Sequence, residues 1–154
     1  MATFDKIDPT DIEDFLQSWK AGLIDIGSTY REDRNYREKA EKFIKRHYAF
    51  EDGGVLFKPT YTSEVIFRNN IEDALSYFVS GKISEDSGFA IKPWGKISAS
   101  DVNVLTEDNL CAVMGVLNLK SSDSTTETKI AFTFILVKVK GEIKIKIHHS
   151  SALN

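Results

Sequence analysis

The sequence has few of the residues that build disulfides and metal centres. Cys111 is its one cysteine among 154 residues, so no internal disulfide can close and no multi-cysteine zinc site can form. Histidine is scarce as well: His47, His148 and His149. Successive residues of a strand point to opposite faces, so His148 and His149 do not share one ion, and no metal and no cofactor is expected. Basic charge is not in excess, with 20 Lys and Arg against 23 Asp and Glu for a net charge of −3, which argues against a nucleic-acid partner. Long apolar runs are absent too. The richest stretch, 130–137, is broken by Thr133 and falls far short of the 18 or so residues of a membrane span. Met1-Ala2-Thr3-Phe4-Asp5-Lys6 lacks the apolar centre and cleavage site of an export signal. The expectation is a cytoplasmic protein with no membrane partner.

What remains is ordinary for a globular chain: 42% hydrophobic and 28% charged residues. A chain of this length buries roughly 68–70% of its unfolded surface, so one domain over residues 1–154 is expected, with no staple needed. Three helices are legible before residue 82. The first opens at Asp8-Pro9-Thr10-Asp11-Ile12-Glu13, where Pro9 suits the first helical position and Thr10 with Glu13 makes a capping box. Ile12, Phe15, Leu16, Trp19, Leu23 and Ile26 follow at helical spacing, and Gly27-Ser28 reads as its end. The second runs over 35–47, with Tyr36, Ala40, Phe43, Ile44 and His47 on its apolar face. Val55-Leu56-Phe57-Lys58 is a short extended segment closed by Pro59. The third spans 70–80, with Ile71, Ala74, Leu75 and Phe78 buried and Gly81 at its C-terminal turn.

After Gly88 the period changes to that of strands, read at 88–98, 101–105, 109–119, 127–138 and 142–150. Strands about twice the usual length must coil rather than lie flat, and Gly115 is placed for a bulge or bend. Helices grouped before a curved antiparallel sheet make an α+β layout, with a cone-shaped interior between the layers. Residues 110–119 and 127–138 are apolar on both parities, which demands cover on both faces. Helices cover one; a second copy of the chain is the simplest cover for the other. In 142–150, Ile143, Ile145, Ile147 and His149 share one parity, so His149 points inward unless a bulge shifts the phase. Lys138, Lys140, Lys144 and Lys146 form a basic stripe, either a solvated edge or a surface for an anion.

The tail Ile145-Lys146-Ile147-His148-His149-Ser150-Ser151-Ala152, behind three helices and a bent meander, resembles the NTF2-like (cystatin-like, SnoaL-like) superfamily. Within it the resemblance is to the association, or hub, domain of calcium/calmodulin-dependent protein kinase II. That domain ends in a His-x-His-Arg-Ser-Gly-Ala strand. His148, Ser150 and Ala152 match the pattern, while Lys146, His149 and Ser151 depart from it. The segments 55–60, 67–68, 74–79 and 88–94 are similar to those of small stand-alone members. The resemblance implies three N-terminal helices on a strongly curved antiparallel sheet, a deep pocket between them, and dimers or larger rings formed on the sheet. It does not imply one chemistry, because members include isomerases, dehydratases, hydrolases, cyclases, transport factors and hubs.

The site residues expected from the sequence are Lys58, Arg68, Tyr77, Trp94 and His149. Lys58 and Arg68 sit among Phe57, Tyr61 and Phe67, where a cation at a pocket mouth binds an anion, Arg bidentately. His149 is either a general acid/base or donor to a ligand, or a satisfied histidine at a core edge. Trp19, Tyr48, Tyr77, Trp94, Met114, Phe132 and Phe134 are the expected apolar lining, Cys111 an inert buried thiol and His47 a core residue. No carboxylate stands within an apolar strand face, where a buried base would be sought. Two functions stay open: a hub-like oligomeric domain with a partly polar small-molecule pocket, or a cofactor-free acid/base enzyme acting on a small, perhaps anionic, molecule.

Overall fold

A computed structural model describes residues 4–153. Its first helix, α1 (Pro9–Arg31), begins with Asp8 as cap, whose backbone N–H donates to Asp11 Oδ2 at 3.0 Å. The capping partners are thus Asp8 and Asp11 rather than Thr10 and Glu13. The helix also runs through Gly27-Ser28. A Cβ at Gly27 would stand 2.9 Å from the Ala90 carbonyl and 3.1 Å from that of Lys92. This glycine lets the helix press against the backbone of residues 89–92 and does not end it. Helix α2 (Tyr36–His47) is capped by the Asn35 side chain, which accepts from the Glu38 amide, and α3 (Ile71–Val79) by Asn70, which accepts from the Asp73 amide.

Five strands follow in one sheet of order β1-β5-β4-β3-β2: β1 (Leu56–Lys58), β2 (Trp94–Glu107), β3 (Leu110–Ser121), β4 (Glu127–Val139) and β5 (Glu142–Ala152). Three readings are corrected. Residues 88–98 and 101–105 are not two strands; 89–91 form a 3-10 turn, and β2 is continuous, with a register shift between Ser100 and Asn103. The irregularity lies there, where Asp101 has φ 48°, directly opposite Gly115: Ser100 pairs with Val116 and Asn103 with Met114, while on the other side the pairing of Gly115 to Phe132 is unbroken. Gly115 is needed for space, since a Cβ would stand 3.0 Å from the Phe132 ring. The sheet is otherwise antiparallel, but β1 joins β5 in parallel, so the whole is mixed.

The helices cover one face. Phe15, Trp19, Leu23, Ile26, Phe43 and Ile44 pack on Cys111, Val113, Leu117, Ile130, Phe132, Phe134 and Leu136, all buried. Burial pushes the Cys111 thiol above its usual range, as suits an inert group. The opposite face carries Leu56, Ile147, Leu105 and Met114, all at least 38% exposed. Met114 is therefore outer surface, not pocket lining, because its parity follows Ala112 and Val116 and not Val113. Three of the four lysines of the basic stripe are already engaged, and Lys140 stays exposed in the turn after β4. Lys138 Nζ pairs with Asp11 at 3.1 Å, Lys144 Nζ donates to the Lys45 carbonyl at 3.0 Å, and Lys146 Nζ donates to the Asp52 and Gly54 carbonyls at 2.9 Å each. Among the described residues no helix is long and apolar enough to cross a membrane.

Candidate functional site

The last strand decides what faces the interior. Ile143 and Ile145 are buried against the helices, as alternation requires. Ile135 then pairs with Ile147 while its neighbour Leu136 pairs with Ile145, so Lys146 is an extra residue on β5. That bulge inverts the phase. His148 and Ser150 turn inward, 5% and 3% exposed, and Ile147 and His149 turn outward. The inward His149 expected from alternation is therefore corrected: the inner histidine is His148.

His148 is packed among aromatic rings. Phe57 stacks on it at 4.6 Å, Phe134 meets it edge-on at 4.6 Å, and Tyr48 lies at 5.9 Å. Its Nδ1 is 2.9 Å from Tyr48 Oη and its Nε2 is 2.7 Å from Ser150 Oγ. Trp19 Nε1 donates to Tyr48 Oη at 3.2 Å. Burial, with a smaller push from His149, lowers His148 to about 3, so the ring is neutral at physiological pH. Tyr77 comes from α3 and is 6% exposed; its Oη accepts from the Tyr61 amide at 3.3 Å. Burial raises the Tyr77 phenol well above its usual value. Thr60 is delivered by Pro59, which cannot continue β1 and turns the chain across the mouth.

These groups surround one void. Thr60, Tyr77, His148 and Ser150 are its polar members, and Trp19, Phe57, Phe78, Phe89, Leu117 and Ile130 are apolar members of the wall. It is small: the space open to the centre of a water molecule is about 10 Å³, roughly one water's worth. A roomier polar depression of about 80 Å³, bordered by Tyr61, Glu85, Ser87 and Lys92, adjoins it, and the two share Tyr77 and Phe89.

The structure distributes the expected site residues differently. Of the five, Tyr77 alone lines this void. Trp94 is buried one layer away, its Nε1 donating to the Phe89 carbonyl at 2.8 Å, so it supports the wall instead of forming it. Lys58 lies on the outer parity and donates to the Ser150 carbonyl at 3.0 Å. Arg68 is fully buried, because Asp86 grips it bidentately at 2.7 and 2.8 Å, with Glu85 at 3.4 Å. That guanidinium is already paired and has no hand free for a ligand at the mouth. Glu85 also accepts from the amides of Ser63, Glu64 and Val65. Those bonds, Val65 first, lower its carboxyl to about 2 and tie down the loop that carries Thr60 and Tyr61. Sequence reasoning missed Thr60, His148 and Ser150. The matched His148 and Ser150 of the tail were the available signal, but the regular Ile-Lys-Ile-Lys-Ile run before them concealed the bulge. Among the described residues no group of three or more His, Cys, Asp or Glu is placed to hold a metal ion.

Known proteins align with this arrangement along its whole length. The family model described as metal-independent carbonic anhydrase matches residues 10–152. A metal-independent carbonic anhydrase of Nostoc sp. (strain PCC 7120) is 33% identical over 143 residues, which span 88% of this chain and 68% of that protein. An iota-carbonic anhydrase from a cyanobacterium, solved in complex with bicarbonate, superposes with a TM-score of 0.90 at 28% identity, covering 100% of this chain and 97% of the other. A calcium/calmodulin-dependent protein kinase II association domain from Xanthomonas campestris gives a TM-score of 0.66 at 20% identity, covering 99% and 96%. That likeness, with those to NTF2-like and cystatin-like proteins, establishes the α+β NTF2-like fold.

Proposed function

The chain belongs to the metal-independent carbonic anhydrase family, and on that footing we propose that it interconverts carbon dioxide and bicarbonate in the void lined by Thr60, Tyr77, His148 and Ser150. The observation that carries the reading is the lining of the void: aromatic and aliphatic carbon edged by three hydroxyls, which suits a small guest with an apolar and an anionic form. The space as it stands holds about one water, so a guest of three or four heavy atoms enters only as the surrounding side chains give way. Steroid-sized substrates do not fit. Of the two functions left open by the sequence, an enzyme acting on a small anion is the one supported.

The chemistry needs donors where charge develops. In hydration, the oxygen of water bonds to the carbon of carbon dioxide, one C=O electron pair moves onto oxygen, and a proton leaves. Hydroxyl donors aimed at that oxygen stabilise the transition state, more so where bulk water is excluded. Tyr77 Oη accepts from the Tyr61 amide and its own proton is not given to any other described residue, so that proton remains for the guest. His148 and Tyr77 stay neutral near pH 7, which leaves the cavity without an ionised base of its own. The proton therefore passes to solvent, and the polar depression beyond Tyr77 is the nearest way out.

The outer sheet face supports a second part of the reading, a homodimer. Leu56, Ile147, Ile135, Ala112 and Leu105 fall in register across all five strands, with Met114 beside them. Such a row favours cover by another copy of the chain. Mass measurement in solution checks this.

Stopped-flow carbon dioxide hydration, followed with a pH indicator, tests the activity. The expected result is catalysis that survives dialysis against a chelator, with Ser150→Ala and Tyr77→Phe each lowering kcat about 10²–10³-fold, the usual loss on removing one such donor. A purified, folded protein no faster than buffer, or variants as active as the parent, would overturn the reading.

A further inference from the structure

Four buried side chains run in series from the helical layer to the void, and their chemistry gives the series one sense. Trp19, Tyr48, His148 and Ser150 are between 1% and 5% exposed, so they are shut off from bulk water. An indole nitrogen donates and never accepts. Tyr48 Oη therefore receives the Trp19 proton at 3.2 Å, and the one other polar partner it has is His148 Nδ1, at 2.9 Å. The phenol must give its own proton to Nδ1, which makes that nitrogen the acceptor. A neutral imidazole carries one proton, and Nδ1 being taken, it sits on Nε2. Nε2 then donates to Ser150 Oγ at 2.7 Å. With that lone pair occupied, the Ser150 hydroxyl proton turns to the void.

We propose that Trp19 and Tyr48 are positioning residues that lock His148 in its Nε2–H tautomer and thereby fix Ser150 as a hydrogen-bond donor to the guest. The inference rests on the carbon dioxide–bicarbonate reading for its kinetic consequence, though not for the tautomer itself. A donor is what an oxygen gaining negative charge requires. The opposite sense, with Ser150 donating to Nε2, would present a lone pair to that oxygen and repel it. Tyr48 thus acts on the reaction from behind the histidine, without touching the substrate. With Nδ1 and Nε2 both engaged, His148 takes no proton from the attacking water.

Nitrogen-15 NMR of histidine-labelled protein reads the tautomer directly, because the two ring nitrogens differ in shift and in coupling to the ring protons. The expected spectrum of the parent shows His148 neutral and protonated on Nε2. In Tyr48→Phe the Nδ1 acceptor loses its donor, so the Nδ1–H form becomes populated and kcat falls at least tenfold while the fold, seen by circular dichroism, persists. Trp19→Phe, which frees Tyr48 to turn its proton elsewhere, shifts the tautomer in the same direction. An Nδ1–H or charged His148 in the parent overturns the proposal, even if Tyr48→Phe does not fold. An unchanged tautomer and an unchanged kcat in a folded Tyr48→Phe overturn it as well. Should the parent prove inactive on carbon dioxide, the function falls, and the spectrum still decides the tautomer.

Discussion

Lowering the pH from 7 to 5 should destabilise this protein by about 4 kcal/mol, and two buried histidines are the reason. Burial lowers His148 to about 3. Burial likewise lowers His47 to about 4; there Nδ1 donates to the Phe43 carbonyl at 2.8 Å and Nε2 accepts from Ser18 at 2.8 Å. In the unfolded chain both return to an ordinary value of 6.5. For a base shifted downward, the unfolded chain takes up protons first. Stability is therefore complete above pH 6.5 and is lost as pH falls toward 4 and 3. At pH 5 each unfolded imidazole is almost fully charged while each folded one is not, and each contributes about 2 kcal/mol of loss relative to pH 7. Carboxylates add to the loss mainly below pH 5, where their unfolded forms begin to protonate. Urea titrations at pH 7, 6 and 5 measure it, with buried Trp19 and Trp94 as fluorescence reporters. His47→Gln keeps a donor for Phe43 and should remove about half of the pH dependence. A total loss under about 1 kcal/mol, or an undiminished slope in His47→Gln, would refute the placement of neutral imidazoles in this core.

Asp86→Asn should cost about 3–5 kcal/mol, read as a lowered urea midpoint, because it leaves Arg68 charged and fully buried, with Glu85 at 3.4 Å as its one paired carboxylate beside the Val65 and Asp73 carbonyls; a change below 1 kcal/mol would mean the pair is not formed. Gly115→Val should cost about 1–3 kcal/mol, since its side chain must displace the Phe132 ring, which stands 3.0 Å from an added Cβ. Phe132 pairs with Ser150, so carbon dioxide hydration should fall in the same variant; full activity would show that the ring moves freely.

How much of this was legible in the sequence follows from which physics is local. Helices α2 and α3 lie within a residue or two of the positions their periodicity and asparagine caps dictate. The α+β order, the long strands, the core His47 and the buried Cys111 are also local readings. Gly27 illustrates the first kind of failure. A glycine reads as a stop, and only a backbone arriving from residues 89–92 explains why the helix continues through it. Arg68 illustrates the second: its partner Asp86 lies 18 residues away and in another loop, so a lone cation near aromatics was open to either role. The site failed for a third reason. Periodicity reports parity only while pairing is regular, and one extra residue at Lys146 reverses it for the last turn of the chain's most informative strand.

That extra residue is also a point of mechanical choice. A bulge in an antiparallel pair is free to sit at any of several neighbouring positions unless something holds it, and here the tether is Lys146 itself, whose ammonium is clasped by two carbonyls of the 52–54 turn. Were the irregularity to slide two residues toward the C-terminus, Ile147 would swing inside and His148 out, parting the imidazole from Ser150, which keeps its inward place beyond the bulge. The cavity would close on a hydrocarbon plug. Identity of the inner face in this protein is thus held by a lysine outside the cavity, and loosening that clasp is a route by which one sequence would exchange a polar-edged interior for a more apolar one.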